Sequence, residues 1–372
     1  MSLEALRQER LDRVLTAVAL GKPDRVPVVL EYAGFAGQVT GASLPRFFTD
    51  RAYSLEKFIE AWQMIAQTAE ADAIHYPYIA AYDLAMLWMS KVKCPGVDLP
   101  EDVPYQVHET ELMKAEEYDD ILKEPWPDYY MRFMAERVFD DVPEEYHPWN
   151  APSLDPITPW AELGVPVLGG GGVGTPFEWL CGARSLPKFI TDLFTRPDEV
   201  EAVMDYIVPT MLQPALAQTK ATGLPFFWVG GWRTASNFLS PKLWQRFFWP
   251  YFERLVGEVV EAGLIALLHL DADFTRDLEF FRALPKGKCV MALDGETDIF
   301  KAKEVVGDVI CLMGDVPATM LALGTPDEVY NYSAKLIREL GPEGFILQSG
   351  CDIPFDAKLE NVQAMVAAAA DN

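Results

Sequence analysis

The stretch Gly344–Pro354 reads GFILQSGCDIP, an apolar run that ends abruptly in Ser-Gly-Cys. This pattern predicts a buried β-strand with the thiol of Cys351 at its C-terminal tip. Upstream, Leu264–Asp273 (LIALLHLDAD) has the same pattern, an apolar run that leads to His269 and Asp271. These two residues are two positions apart, so they lie on one side of an extended strand. Because parallel α/β barrels keep their chemistry at the C-terminal ends of strands, the two stretches predict a barrel with a shared site.

Strand-like runs alternate with amphipathic helical segments along the chain, and this alternation indicates a parallel sheet. Eight strands are predicted, the number found in a TIM barrel. Their ranges are Arg25–Leu30, Ala73–Tyr78, Val165–Gly169, Pro225–Val229, Ala266–Leu270, Cys289–Leu293, Val309–Met313 and Phe345–Gln348. The predicted fold class is therefore α/β, a (β/α)8 TIM barrel preceded by an N-terminal helical segment.

One interval is too long for a single crossover between the second and third strands. It covers residues from about 90 to 160 and is rich in Pro, Asp, Glu, Trp and Tyr. We expect an insertion over the barrel mouth, with a lid and a plain surface insertion as the two interpretations. The length and composition of the chain favour one large domain, so we predict a single barrel domain over residues 1–372.

The chain has 31 basic and 56 acidic residues, a formal net charge of −25. This balance argues against nucleic acid or an anionic membrane surface as a partner, because both need dense positive charge. The N-terminal segment mixes charges into a helical pattern and predicts neither a signal peptide nor a membrane span, so we expect a cytoplasmic protein. The five cysteines form no CxxC pair, which disfavours a disulfide scaffold. Monomer and homodimer both stay open.

The residues at the predicted strand ends are acidic and aromatic. Zinc takes imidazole, carboxylate and thiolate ligands, and a catalytic site leaves one position open. His269, Asp271 and Cys351 supply one ligand of each type, and Glu31 after the first strand is the natural fourth. The alternative is that Cys351 is a packed thiol and His269 a hydrogen-bonded barrel residue.

Aromatic side chains near the predicted mouth suggest a pocket for a flat ring, with core packing as the alternative. The predicted substrate contacts are Tyr32, Trp228 and Trp232. Asp294 and Tyr78 are candidate catalytic residues that position a substrate or supply a proton. The remaining histidines have no ligand-like neighbours and are predicted to be surface or hydrogen-bonded residues: His75, His108 and His147.

Several motifs together carry a family resemblance over nearly the whole chain. They are RVPV at Arg25–Val28, GGVGTPFEWL at Gly171–Leu180, GDVP at Gly314–Pro317 and GFILQSGCDIP at Gly344–Pro354. With the histidine of the fifth strand, this order resembles the uroporphyrinogen decarboxylase superfamily. The C-terminal end is similar to its corrinoid-dependent methyltransferase branch, whose members hold zinc with a His-x-Cys pair and a later Gly-Cys. His269 matches the first of these ligands and Cys351 the last.

Departures from the family pattern narrow the expected reaction. Glu31–Ala36 carries no base where the decarboxylases grip a polycarboxylated substrate with arginine. Tyr78 stands where they have a catalytic aspartate, and Gly350–Asp352 replaces their closing Gly-His-Gly. Asp271 replaces the middle cysteine of the methyltransferase pattern, which implies a harder zinc suited to an oxygen ligand.

The resemblance and its departures together predict a zinc methyltransferase. It would move a methyl group from an O-methyl donor, an aryl methyl ether, to the Co(I) of a separate corrinoid protein. The corrinoid (cobalamin) would come from that partner, because the chain has no Asp-x-His-x-x-Gly segment. Three alternatives stay open: methyl transfer from the corrinoid protein to a thiol or tetrahydrofolate, decarboxylation of a smaller carboxylate, and a non-enzymatic ligand-binding barrel.

Overall fold

The computed structural model describes residues 2–371, which form ten β-strands. The strands are β1 (Val29–Leu30), β2 (Ala73–Ile74), β3 (Lys91–Lys93), β4 (Gln106–His108), β5 (Gly169–Gly174), β6 (Phe226–Gly231), β7 (Ile265–Leu270), β8 (Cys289–Leu293), β9 (Cys311–Val316) and β10 (Phe345–Ser349). Eight of them are parallel barrel strands, whereas β3 and β4 pair antiparallel outside the barrel.

The barrel is closed by pairing between its first and last strands. β5 to β10 form a six-stranded sheet in chain order, and β1 pairs with β2. Two parallel bridges join these sheets, Val28 with Leu347 and Ile74 with Val167. β1 therefore lies between β2 and β10, as TIM-barrel closure requires. The α/β class predicted from the sequence is confirmed.

Seventeen α-helices accompany the strands. They are α1 (Leu3–Val18), α2 (Gly34–Val39), α3 (Leu44–Thr49), α4 (Arg51–Ile65), α5 (Ala81–Trp88), α6 (Tyr118–Ile121), α7 (Trp126–Phe133), α8 (Thr158–Ala161), α9 (Pro176–Arg184), α10 (Leu186–Thr195), α11 (Pro197–Thr222), α12 (Pro241–Phe247), α13 (Trp249–Glu261), α14 (Ile299–Val306), α15 (Ala318–Leu323), α16 (Pro326–Leu340) and α17 (Leu359–Asp371). Short 3-10 segments lie at Ala115–Glu117, Glu144–Tyr146, Pro148–Asn150 and Thr275–Ala283, and a π-helical turn at Met134–Val138.

Local sequence explains where α16 begins. The hydroxyl of Thr325 accepts a hydrogen bond from the backbone N–H of Glu328 at 3.3 Å. The Glu328 carboxylate accepts one from the backbone N–H of Thr325 at 2.8 Å, which completes a capping box. Pro326 occupies the first helical position, where its missing N–H costs nothing.

The barrel interior is filled by inward-facing side chains of its strands. They include Val29, Ala73, Leu168, Phe226, Trp228, Leu267, Val290, Met313 and Ile346, all nearly inaccessible to solvent. A second and larger apolar cluster lies between the barrel and the surrounding helices. The strands are thus held rigidly from both sides, and their C-terminal ends have fixed positions.

The predicted third strand, Val165–Gly169, is wrong in its range, because the extended segment is the glycine run of β5. A Cβ atom on Gly172 would lie 2.6 Å from the Cβ of Trp228 on the neighbouring strand. The close packing of β5 against β6 therefore requires glycine.

The inserted segment, defined here as the interval between β2 and β5, begins before the predicted limit of about residue 90. It contains α5, the β3–β4 hairpin and several short helices. α5 ends at Trp88, whose ring contacts Trp228 and Trp232 at the end of β6. The inserted segment therefore reaches the C-terminal mouth of the barrel. Among residues 2–371, no helix combines the length and hydrophobicity needed to cross a bilayer.

Candidate active site

Three predicted ligands converge where β7 and β10 end. His269 lies near the C-terminal end of β7, and Cys351 follows β10. The Nε2 atom of His269 lies 3.2 Å from Oδ1 of Asp271 and 3.7 Å from Sγ of Cys351. One donor atom from each of the three residues lies within 4.8 Å of the others. We call these residues the donor cluster.

The chemistry of the donor cluster fits zinc. Zinc bonds of about 2.0–2.3 Å place tetrahedral ligand atoms about 3.3–3.8 Å apart, close to the two shorter spacings here. Burial raises the pKa of the Cys351 thiol to about 12, with the nearby acids adding to burial and His269 opposing it. A thiol in this state becomes a thiolate ligand only beside a cation. The cluster offers three donors, as catalytic zinc sites do.

The predicted fourth ligand, Glu31, is not brought into the donor cluster. Its Oε2 atom lies 2.6 Å from Nδ1 of His75 and accepts a hydrogen bond from Nε2 of Gln348 at 2.8 Å. Its Oε1 atom lies 4.0 Å from Nδ1 of His269. Glu31 therefore faces the opposite edge of the imidazole ring from the edge that meets Asp271. Strand spacing alone could not distinguish these two edges.

The charges around His269 shift its pKa and that of Glu31 in opposite directions. Burial lowers the pKa of His269, but the charge and hydrogen bond of Asp271, helped by Cys351, outweigh it and raise the pKa well above the usual value. Burial raises the pKa of Glu31, but His75, His269 and their hydrogen bonds outweigh it and bring the pKa well below its usual range. The site is thus organised around paired opposite charges.

Three residues at this site were missed as functional candidates: His75, Tyr76 and Asp352. His75 is 1% exposed, so the surface interpretation is wrong and the hydrogen-bonded one is right. The Tyr76 ring stacks on His75 with centroids 3.8 Å apart. Burial raises the pKa of Tyr76, and the charges of Glu31 and Asp352 raise it further. All three follow the C-terminal ends of β2 and β10, the signal that identified Cys351.

Burial raises the pKa of Asp352 to about 7, and the neighbouring charges of Glu31 and Asp271 act in the same direction. The acids crowd together here, and the cation that opposes them at Asp352 is His269, not a lysine or arginine. A ligand that carries several carboxylates would therefore be repelled from this position.

The structure does not bring Tyr32 or Tyr78 to the donor cluster. Tyr32 is 2% exposed, and its hydroxyl donates to the carbonyl of Phe58 at 2.8 Å inside the core. Burial raises the pKa of Tyr78, and the charged groups that act on it are Asp83 and Arg51. Tyr32 thus has the packing role that was the alternative interpretation.

Asp294 holds the loop that follows β7. Its carboxylate accepts hydrogen bonds from the backbone N–H of Ala272 at 2.6 Å and of Glu296 at 2.9 Å. Ala272 has a positive φ of 75°, a conformation that needs external support in a residue other than glycine. Burial raises the pKa of Asp294, and the charge of Asp271 adds to this.

Three tryptophans form an aromatic wall beside His269: Trp88, Trp228 and Trp232. Trp88 contacts Trp228 and Trp232 in edge-to-face geometry, with ring centroids 5.5 and 4.3 Å apart. The Trp228 ring lies 5.7 Å from the His269 ring. Two of the three were predicted, whereas Trp88 belongs to the insertion, and no local sequence signal places it here.

An ion-pair network holds Trp232 in place. The Arg233 guanidinium lies 4.1 Å from the centre of the Trp232 ring. Arg233 donates to Glu178 on α9 and to Glu109 just after β4, both at 2.9 Å. Glu178 is fully buried and Arg233 is 1% exposed. The network therefore connects the aromatic wall to both the barrel and the insertion.

A cavity of about 640 Å³ opens beside the mouth, between α3, the start of α4 and residues 145–154. None of the donor-cluster residues lines it. Phe48 lines this cavity and packs edge-on against Tyr105, with centroids 5.2 Å apart. Burial and the charges of Asp352 and Cys351 raise the pKa of Tyr105. Phe48 thus joins the lining of this cavity to Tyr105, which is close enough to Asp352 and Cys351 to be affected by their charges.

A model of the family Uroporphyrinogen decarboxylase (URO-D) matches residues 149–371, more than half of the chain. The chain belongs to the uroporphyrinogen decarboxylase family. The matched region contains the whole donor cluster and β5 to β10. Membership confirms the superfamily resemblance inferred from the sequence motifs.

Curated members of this family are distant relatives. The uroporphyrinogen decarboxylase of Coxiella burnetii is 24% identical over 212 residues, which is 55% of this chain and 57% of that enzyme. The match therefore spans little more than half the length of this relative. The uroporphyrinogen decarboxylase of Geobacter sulfurreducens is 24% identical over 257 residues, 66% of this chain and 73% of that enzyme.

A solved structure has the same fold along its whole length. A methyltransferase from Methanosarcina mazei superposes with a TM-score of 0.67 and 16% sequence identity. The superposition covers 100% of this chain and 99% of that one. The barrel fold of this chain therefore agrees with that of a solved structure.

Proposed function

We propose that this protein is a zinc-dependent methyltransferase that takes a methyl group from an aryl methyl ether. The acceptor is the Co(I) of a separate corrinoid protein, which is the second substrate. The observation that carries the proposal is the convergence of His269, Asp271 and Cys351 at the C-terminal mouth of the barrel. The methyltransferase from M. mazei, which has the same fold, adds support at the level of the fold.

The donor cluster would hold the zinc. Bound there, zinc supplies a Lewis acid that polarises an ether oxygen and makes the aryl oxide a better leaving group. An oxygen donor from Asp271 in place of a second thiolate favours this harder chemistry over activation of an acceptor thiol. His269 and the Cys351 thiolate would bind the ion, and the Asp271 carboxylate would make it a harder Lewis acid.

The aromatic wall suits the ring of the methyl donor. Trp228 supplies a flat apolar surface next to His269, and Trp232 extends the wall through its contact with Trp88. Offset or edge contacts with an aryl ring stabilise such a complex. The ring of Trp88 closes this wall from the insertion side. We assign these three residues to donor binding.

The proposed methyl transfer breaks one bond and forms one bond. The C–O bond of the ether breaks with its electron pair on oxygen, and the methyl carbon bonds to cobalt through the electron pair of Co(I). The departing aryl oxide then takes a proton from solvent. Of the two tyrosines after β2, Tyr76 is affected by the charges of the site, whereas Tyr78 is affected by Asp83. The carboxylate of Asp294 is occupied by a hydrogen bond from the backbone N–H of Ala272. We therefore assign Tyr76, in place of those two predicted residues, to contact with the departing oxygen.

Decarboxylation is the second candidate, because the curated relatives are named uroporphyrinogen decarboxylases. The charge of the site opposes it for a polycarboxylated substrate. Glu31, Asp271 and Asp352 act on one another here, and Arg233 is already paired with two glutamates. A smaller carboxylate as substrate would remain compatible with the family.

The first test is metal content. Elemental analysis of the wild type, His269→Ala and Cys351→Ser should give about one zinc per chain in the wild type and a loss in both variants. Cys289→Ser is the matched control, since Cys289 begins β8 at the other end of the barrel strands. Absence of zinc in wild type that has been offered the metal would overturn the proposal.

The second test is turnover. Wild type with zinc, a ¹³C-methyl-labelled methoxyphenol and a Co(I) corrinoid protein should yield labelled methylcobalt and the free phenol in equal amounts. Labelled methyl moving only from the corrinoid protein to a thiol or tetrahydrofolate would reverse the direction. Carbon dioxide release from a carboxylate by metal-free protein would favour the decarboxylase instead.

A further inference from the structure

Two histidines share one buried carboxylate beneath the donor cluster. Glu31 is 3% exposed, and its two oxygens have different neighbours. Oε2 is bonded by His75 at 2.6 Å and by Gln348 at 2.8 Å. Oε1 faces Nδ1 of His269 at 4.0 Å. Nδ1 of His269 is buried and lacks a hydrogen-bond partner among the described residues.

This arrangement determines which nitrogen of His269 is available to a metal. A negative oxygen facing Nδ1 favours the tautomer that carries the proton there. The Nε2 lone pair is then free on the edge that meets Asp271 and Cys351. Metal-bound histidines commonly have such a carboxylate on the other ring nitrogen, where it raises ligand basicity.

We propose that Glu31 is a positioning residue for the zinc site, held by His75 and Gln348, and not a zinc ligand. This rests on the proposed zinc site and revises the ligand assignment made from the sequence. Glu31 acts through His269 by placing a negative oxygen 4.0 Å from Nδ1, where its charge favours protonation of that nitrogen. His75 acts one step further away by orienting Glu31.

The hydrogen bonds to Oε2 explain how Glu31 keeps this position. Two donors bind one oxygen, so the carboxylate cannot rotate without breaking one of them. His75 is itself fixed, because it is 1% exposed and its ring stacks on Tyr76. Rotation toward the donor cluster would leave a buried imidazole and a buried amide without their partner.

The test measures metal affinity and coordination in Glu31→Gln. Zinc affinity, obtained by competition with a chelator, should fall by roughly 10–100-fold. Co(II) substituted for zinc should give the same thiolate charge-transfer band and the same d–d intensity as wild type, because the ligand set is unchanged. A changed d–d spectrum would show that Glu31 is itself a ligand and would overturn the proposal.

A matched pair at position 75 tests the second step. His75→Asn keeps an amide N–H near the place of Nδ1 and should retain most of the zinc affinity. His75→Leu removes the hydrogen bond and should weaken zinc binding as Glu31→Gln does. Equal affinity in both variants, or an unchanged affinity in Glu31→Gln, would also contradict the proposal.

Two controls separate this inference from the proposed function. Asp315→Asn removes another buried carboxylate, which is bonded to Tyr332, and should leave zinc affinity unchanged. Thermal unfolding of the metal-free variants shows whether each is folded. Wild type that binds neither zinc nor Co(II) would defeat the proposed function, whereas tight binding in wild type and in folded Glu31→Gln would defeat only this inference.

Discussion

At the scale of single residues, Asp271 determines how strong a Lewis acid the proposed zinc would be. It supplies oxygen where the resembled methyltransferases have sulfur, so Asp271→Cys should bind zinc more tightly. Extra thiolate charge makes zinc a weaker Lewis acid. We therefore expect ether cleavage to fall by about tenfold or more while zinc affinity rises, an opposition that a merely structural residue would not produce.

Chelator competition and turnover with a methoxyphenol measure the two quantities in the same preparation. Asp271→Asn is the control, because it keeps an oxygen donor and loses the charge. Both quantities should fall in that variant. A cysteine variant whose turnover rises with its zinc affinity would contradict the role given to Asp271.

Asp315 should make stability depend on pH. Burial raises its pKa to about 7, partly offset by the hydrogen bond from Tyr332. The unfolded value is about 3.9, so between about pH 4 and 7 the folded chain keeps a proton that the unfolded chain releases. The free energy of unfolding therefore falls as pH rises through this window, by at most about 1.4 kcal/mol per pH unit from this group.

Asp315→Asn cannot release a proton, so the difference in unfolding free energy between variant and wild type should grow from pH 5 to pH 7.5. Urea denaturation at several pH values measures it. Parallel pH profiles for the two proteins would contradict the raised pKa.

At the scale of elements, Arg233 couples the end of β6 to α9 and to the inserted segment. Arg233→Met leaves Glu178 fully buried without its partner. We expect a loss of about 3–5 kcal/mol in the free energy of unfolding. Chemical denaturation followed by circular dichroism measures it.

The matched comparison is Glu109→Gln. The Glu109 side chain is 27% exposed, so losing its charge should cost about 1 kcal/mol or less. Replacing Arg233 and Glu178 together by apolar residues should recover part of the loss, because no unpaired charge is then buried. Equal losses for Arg233→Met and Glu109→Gln would contradict the assigned burial effect.

The sequence predicted the residues whose positions depend on strand ends. It did not predict those whose positions depend on packing between distant segments. The apolar runs before His269 and Cys351 identified the two strands whose ends meet. Which ring edge Glu31 would face depends on hydrogen bonds from His75 and Gln348, which lie on different strands. Trp88 arrives from the insertion, so no local pattern in its own segment indicated the aromatic wall.

At the scale of the whole molecule, barrel closure links distant parts of the chain. β1 is bridged to β10 through Val28 and Leu347, and Arg233 ties the insertion to the barrel through Glu109. We therefore expect equilibrium unfolding in one transition, with tryptophan fluorescence and far-ultraviolet circular dichroism coincident. This outcome would support the single-domain prediction for residues 1–372.

An earlier transition seen only by fluorescence would mean that the insertion unfolds separately. Trp126→Phe offers a control, because Trp126 lies on α7 within the insertion and is buried. If the transition is single, this change should alter the fluorescence signal without shifting its midpoint relative to circular dichroism.

One part of the aromatic wall comes from a different stretch of chain than the donor cluster. The donor cluster and Glu31 follow barrel strands, whereas Trp88 and Glu109 come from the segment between β2 and β5. The barrel strands and the inserted segment can therefore change independently in evolution. A relative that exchanged this one segment would change one face of the aromatic wall while the donor cluster stayed the same.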